Sequence, residues 1–333
     1  MLKASLYSGR FIYTLISKAI YILRTRKQQT QFAYQLLQQF EQQQNGTFNT
    51  DTKKEIAVSH GIYLPMICDS FLQLLGRKCT PTEQAHIVHY FTCSSLFDDF
   101  VDEKQLTWQQ LFAISYAPEN YIANSFEERT FLYAHRYLLD IVRNKEAYLA
   151  DTKILFEAQK NSQLQIHGQL SEPLLTQTTL NKGGYSLRIC NYYFAYEAMD
   201  EQLPIWEKLG NIIQVINDLF DVWKDVQNQT VTPANNAKNI HELTAWYRQL
   251  VDALWQEMQA IKAPSHKVTA FKISMAGICA FGFIAIDQFR RLADVDGRLH
   301  WQQYTRKQLI IDMEKWNNLV SWCRHTYKLG KKA

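Results

Sequence analysis

The residues of this chain best suited to chemistry are carboxylates gathered at helical spacing. Phe97-Asp98-Asp99-Phe100-Val101-Asp102-Glu103 closes an apolar stretch that includes Ile87, Val88, Tyr90, Phe91 and Leu96. At helical pitch Asp98 and Asp102 share one face, with Asp99 and Glu103 on the adjoining one. Like charges one turn apart cost a few tenths of a kcal/mol per pair, which goes unrewarded unless a hard cation sits between them. Mg²⁺ prefers carboxylate, phosphate and water oxygens, so the arrangement suits a grip on a diphosphate. A solvated acidic helix end accounts equally well for this segment taken alone.

A second segment runs Gln214-Val215-Ile216-Asn217-Asp218-Leu219-Phe220-Asp221-Val222-Trp223-Lys224-Asp225. Asn217, Asp221 and Asp225 fall at i, i+4 and i+8 and form a polar stripe two turns long, amid Ile212, Ile213, Ile216, Leu219, Phe220 and Val222. Buried without ions, such a stripe is expensive. Two such helices facing each other across a cavity make a multi-metal clamp for one diphosphate.

The elements that position these residues read as helices almost throughout. Only seven prolines and twelve glycines interrupt 333 residues, and apolar residues recur at i, i+3, i+4 and i+7. The pattern predicts helices near 8–26, 28–44, 53–75, 82–102, 107–115, 126–143, 150–172, 184–199, 203–226, 239–261, 265–292 and 305–327, and no strand. The Gln-rich run 28–44 keeps a stripe of Phe32, Leu36, Leu37 and Phe40 and ends at an Asn45-Gly46 turn. Residues 227–239 read as a polar loop able to cover a site. With no repeat and no Pro/Ser linker, the expected organisation is N-terminal amphipathic and Gln-rich helices over 1–50 packing on one helical domain over 51–333.

In motif order and spacing, the chain resembles the class I isoprenoid synthases, terpene synthase-like and related to the trans-prenyltransferases, over roughly residues 60 to 300. DDFVDE looks like their DDxxD motif and QVINDLFDVWKD like their second metal motif, roughly 120 residues further on. Two registers of the second motif stay open. Asn217, Asp221 and Asp225 match the NSE spacing of terpene synthases, with Asp in place of Ser or Thr and of Glu. Gln214, Asp218 and Asp221 resemble the Q-x-x-x-D-x-x-D of chain-elongating enzymes, with Asn217 where those usually carry Asp.

The resemblance implies an all-α fold, a single large helical bundle of the isoprenoid synthase type with a central cavity. It also implies Mg²⁺ as cofactor, about three ions, with Asp98, Asp99, Asp102, Asn217, Asp218, Asp221 and Asp225 as ligands. Lys182, Arg188, Lys224, Tyr304 and Arg306 are the residues it offers to an isoprenyl diphosphate. Gly168-Gln169 and then Lys182, before a helix break read at Gly183-Gly184, resemble the Gly-Gln pair and later Lys-Thr that precede the second motif in prenyltransferases, where terpene synthases use an Arg and a helix break. Tyr304 and Arg306 belong to a basic stretch with Arg290, Arg291, Arg298 and Lys307, and an ordinary solvated face explains that stretch too. Phe97, Phe100, Tyr192, Tyr193, Phe194, Tyr196, Phe220 and Phe281 are aromatic candidates for steering a carbocation.

The activity implied is Mg²⁺-dependent ionisation of an isoprenyl diphosphate, with cyclisation or quenching of the cation, as in a terpene synthase. The alternative is a trans-prenyltransferase using isopentenyl diphosphate. Against it, Gly76-Arg77-Lys78 lies well upstream of the first motif and Lys104-Gln105-Leu106 follows it with no Arg pair. The Tyr/Arg-rich approach of the head-to-head condensing branch is not apparent. A non-catalytic helical binding protein is the reading from another class, and its acidic stripes are solvated.

The bulk numbers fit a folded chain: 47% hydrophobic residues can build a sizeable core. A net charge of +4, spread along the chain, gives no nucleic-acid footprint. Six cysteines without a CxxC pair point to a reducing cytoplasm. Ile273–Ile286 is too short to span a bilayer and reads as a core helix. Near the N-terminus, Phe11, Ile12, Leu15, Ile16, Ala19, Ile20 and Leu23 alternate with Lys3, Arg10, Lys18, Arg24, Arg26 and Lys27. That helix packs on the domain or rests on a membrane surface, giving a cytoplasmic protein with peripheral membrane contact as an open option. A homodimer, common in the family, also stays open.

Overall fold

Polar residues in the right places set where each helix begins. Thr80, Thr107, Thr232 and Thr305 each open a helix with a capping box closed by Glu83, Gln110, Asn235 and Gln308, which satisfies backbone donors that helix geometry leaves unpaired. Ser125 accepts from the Glu128 N–H, and Asn239 from those of His241 and Glu242. Pro173, Pro204 and Pro233 sit in first turns, where a missing N–H costs nothing.

The computed structural model describes residues 2–195 and 202–332, so Tyr196 lies outside it. The α-helices run α1 (Leu2–Gln43), α2 (Thr50–Tyr63), α3 (Asp69–Leu74), α4 (Pro81–Asp102), α5 (Trp108–Tyr116), α6 (Phe126–Ile141), α7 (Lys145–Ser162) and α8 (Glu172–Ile189). They continue with α9 (Leu203–Phe220), α10 (Val222–Gln227), α11 (Pro233–Asn236), α12 (Ile240–Glu257), α13 (Ser265–Arg290), α14 (Arg306–Leu309) and α15 (Trp316–Lys332). Among the described residues there is no strand, only the isolated bridges Ile166–Thr230 and Asn239–Arg298. The all-α class is as the periodicity predicts.

Several boundaries differ from expectation. The helices expected at 8–26 and 28–44 are one, α1, because no Gly or Pro lies between Arg10 and Asn45. Asn45, at φ 51°, then turns the chain. The helix expected at 53–75 is split by a π turn, Leu64–Cys68, which contains the donor-less Pro65. Helices expected at 150–172 and 184–199 give way to α7 and α8, and the one expected at 305–327 to α14 and α15.

The chain divides into two compact units, one comprising Met1–Thr14, Leu149–Asn191 and Tyr196–Ala333, the other Leu15–Tyr148 and Tyr192–Ala195. In the first, α8, α12 and α13 pack on α9, and α15 packs on α13. Trp206, Leu209, Ile212, Val215 and Leu219 of α9 are buried there with Tyr247 and Phe289. In the second, α2 and α6 pack on α4, around Phe40, Ile56, Leu64, Phe71 and Phe100. Among the described helices α13 alone is long and apolar enough to cross a membrane, and 72% of its most apolar window is buried inside the protein, the environment expected of a core helix. All six cysteines are free thiols.

Candidate functional site

The first acidic face sits at the last turn of α4, in the second unit. Leu96, Phe100 and Val101 anchor that turn in the core, so Asp98 and Asp99 are half-buried while Asp102 and Glu103 reach solvent. Thr52, from α2, donates to Asp99 Oδ2 at 2.8 Å. Burial raises the Asp99 pKa, and the charges of Glu103, Asp102 and Glu127 raise it further against the Thr52 hydrogen bond. Glu55, one turn beyond Thr52, is raised by burial and then by Asp99 and Asp102. Thr52, Glu55 and Glu127 were invisible to sequence reasoning, because they belong to other helices with no motif of their own.

The second face lies where α9 gives way to α10, in the first unit. Asp221 is the joint between them, at φ −94° and ψ 5°, and the Asp221 and Asp225 N–H groups still donate to Asn217 and Asp221 carbonyls at 2.9 Å. The two helices therefore continue as one stripe with a small offset. Asp218 is buried and accepts from Gln214 Nε2 at 2.9 Å. Burial lifts its pKa to about 6, assisted by Asp221 and opposed by the Gln214 bond and the charge of Lys182. Asp225 is lifted to about 7 by burial and then by Asp218 and Asp221, against Lys224. Asn217 and Asp221 are exposed. Of the two open registers, the one with Gln214, Asp218 and Asp221 is thus hydrogen-bonded and electrostatically joined to Asp225, with Asn217 on its flank.

No helix break follows Lys182, contrary to the sequence expectation: α8 is continuous from Glu172 to Ile189. Gly183 and Gly184 serve packing instead. A Cβ on Gly183 would meet Gln214 Cβ at 2.3 Å and the Gly210 carbonyl at 2.6 Å, and one on Gly184 would meet Asn211 Oδ1 at 2.2 Å. This close crossing of α8 and α9 brings the Lys182 charge to Asp218.

The other candidate cations divide. Arg188 Nε donates to Asp151 at 2.8 Å and its NH1 to Glu207 at 3.1 Å, which holds it in an ion pair within the unit. Arg306 stacks its guanidinium 5.3 Å from the ring centre of Trp223, next to Lys224, and both cations are exposed. Tyr304 turns inward: its hydroxyl donates to the Leu292 carbonyl at 2.9 Å and accepts from the His300 N–H at 3.1 Å, fixing the loop that leads to α14. Arg290 pairs with Asp287 at 2.7 Å. Residues 227–239 are tied down, since the Val231 N–H donates to Gln165 and the Gln229 carbonyl accepts from His167, each at 2.9 Å.

Of the aromatic candidates, Phe100, Tyr193 and Phe194 are core residues. Phe97, Tyr192, Phe220 and Phe281 are half-buried, with Phe220 and Phe281 edge to face at 6.4 Å. In the second unit Arg77 is committed to Glu83 through two hydrogen bonds of 2.7 and 2.8 Å, and Lys78 lies 4.0 Å from the centre of the Tyr21 ring.

No family model matches the chain, and no curated protein matches its sequence. A solved structure of a dehydrosqualene synthase in complex with ligand is similar to it. The identity is 14% and the TM-score 0.45, covering 85% of this chain and 99% of that one.

Among the described residues no three Asp, Glu, His or Cys side chains converge to hold a metal alone. Mg²⁺ does not need that, because it is taken by one or two carboxylates together with phosphate oxygens and waters. The donor set fits such an ion: all oxygen, with carboxyl pKa values on each face raised by burial and then by neighbouring charges.

Proposed function

We propose that the chain is a class I isoprenoid synthase that binds an isoprenyl diphosphate with Mg²⁺ and ionises it, the allylic cation then cyclising or being quenched. The observation that carries this reading is the α9–α10 stripe, where buried Asp218, half-buried Asp225 and exposed Asp221 crowd one another beside Lys182, an arrangement that costs stability unless a cation joins it.

In this account Asp98, Asp99 and Asp102 are the Mg²⁺ ligands of the α4 face, and Asp218, Asp221 and Asp225, with Asn217, are those of the α9–α10 face, each taken within its own unit. Bound there, the metal supplies charge neutralisation that makes diphosphate a better leaving group. Lys182, Lys224 and Arg306 donate to diphosphate oxygens. Arg188 and Tyr304 position α8 and the loop before α14 rather than touching the substrate. Half-buried Phe97, Phe220 and Phe281 offer ring faces to a carbocation.

Use of a single diphosphate, as in a terpene synthase, is favoured because Arg77 and Lys78 are already engaged by Glu83 and Tyr21. Chain elongation is the second reading, favoured by one observation, the Gln214–Asp218 hydrogen bond in the elongating register. Incubation with Mg²⁺ and geranyl, farnesyl, geranylgeranyl and longer diphosphates, each with and without isopentenyl diphosphate, separates them. A hydrocarbon or alcohol from one diphosphate alone is expected. A longer diphosphate formed only with isopentenyl diphosphate moves the assignment to a prenyltransferase, and no consumption of any substrate rejects both.

A further inference from the structure

The first half of α1 has two faces of different character. One face is packed: Phe11 is buried, its ring 5.1 Å from that of Tyr327, and Ser8 bonds the Tyr327 hydroxyl at 3.0 Å. Further along, Lys18 donates to Ser70 at 2.6 Å and Tyr21 to Asp69. The other face is apolar and open. Ile12 and Ile16 are each 55% exposed, Ile20 43% and Leu23 74%, and together with Ala19 they fall within an arc of about 100° on the helix. Ordinary soluble helices turn such a stripe inward.

The charges that this half of α1 itself carries have one sign. Arg10, Arg24, Arg26 and Lys27 are exposed, and no Asp or Glu occurs before Glu41. From this we infer that α1 docks on an anionic lipid bilayer, its Ile12-Ile16-Ile20-Leu23 stripe entering the headgroup boundary while the four basic side chains meet lipid phosphates. An apolar helix face flanked only by cations is the composition that lies in a bilayer surface. A second copy of this chain is a poor occupant, because a twofold-symmetric pairing of the stripes would bring the same cations against one another.

The test is flotation of the full-length protein with vesicles of phosphatidylcholine alone or mixed with phosphatidylglycerol, at low and high salt. Binding to the anionic vesicles, weakened by salt, is expected. Each basic side chain near such a surface strengthens binding about fivefold. Combining Arg24→Gln, Arg26→Gln and Lys27→Gln should therefore weaken it about 100-fold. Ile16→Glu with Ile20→Glu should abolish it while circular dichroism and melting stay unchanged, and Ile122→Glu, an exposed apolar position elsewhere, should leave it intact. The proposal is overturned if neither vesicle binds, or if the Ile16/Ile20 variant, shown folded, floats like the parent. It is also overturned if light scattering shows a dimer that this variant dissociates and the parent dimer does not float.

Discussion

Gly210→Ala tests the packing that brings Lys182 to the acidic stripe. A Cβ there would lie 2.3 Å from the Gly183 carbonyl oxygen and 2.9 Å from Gly183 C and Gly184 Cα, all backbone atoms with no rotamer to yield. The shortfall from ordinary contact is about 1 Å, so α8 and α9 must separate, and gaps of that size forfeit a quarter to a half of each dispersion contact along the crossing. Overpacking of this kind costs about 1–3 kcal/mol, and the backbone-to-backbone clash places this case near the upper figure. That is a large share of a total stability of about 5–15 kcal/mol. Gly9→Ala is the matched control: nothing lies within 4 Å of its added Cβ in the interior of α1. It should stabilise by about 0.5–1 kcal/mol. Denaturant unfolding of both variants measures the difference, and Mg²⁺-dependent diphosphate binding should weaken in Gly210→Ala alone. A Gly210→Ala protein within about 0.5 kcal/mol of the parent would mean that α8 and α9 do not cross this closely, since variants at uncrowded sites stay in that range.

Asp225→Asn should stabilise the metal-free protein at neutral pH. The Asp225 pKa is about 7 in the folded chain against an ordinary 3.8, so this group costs the parent stability as pH rises from 4 to 7, a loss the variant is spared while it keeps the one from Asp218. The difference should grow by about 2 kcal/mol across that window in chelator-containing buffer, after allowance for screening at a part-exposed site, and no growth contradicts the assignment. His60 works with the opposite sign. Burial lowers its pKa from 6.5 to about 3, so its contribution is present above pH 6.5 and lost as pH falls. Between pH 7 and pH 5 the parent should lose about 2 kcal/mol relative to His60→Leu, whatever the fixed packing offset between them. Arg188→Gln should lower stability through Asp151 and Glu207 more than it changes the KM for diphosphate substrate, whereas Lys182→Gln should do the reverse.

The sequence spoke most clearly where local and tertiary signals agreed. Helix α4 was expected from residue 82 and begins at Pro81, because the Thr80–Glu83 capping box and the apolar period both mark it. The end of α1 was legible in Asn45-Gly46, a turn that needs a left-handed residue. Gly183-Gly184 misled, because glycine's local preference for a break is overridden by the contact with Gly210, a residue distant in sequence. The start of α8 was missed for a related reason: Ser171 makes no side-chain cap bond and only Pro173 marks the first turn. The candidate carboxylates rest on spacing alone. Asp218 could be told from Asn217 only by burial, and Thr52 and Glu55 only by the packing of α2 on α4.

Metal-dependent ionisation is measured as release of inorganic diphosphate from farnesyl or geranylgeranyl diphosphate, with Mg²⁺ and with chelator, by the parent, Asp98→Asn and Asp221→Asn. Release by the parent with Mg²⁺ only is expected, with loss of at least about 100-fold in each variant while folding stays intact, the scale seen when a group stabilising charge in the transition state is removed. Chelator-insensitive release, or full activity in either folded variant, would contradict it.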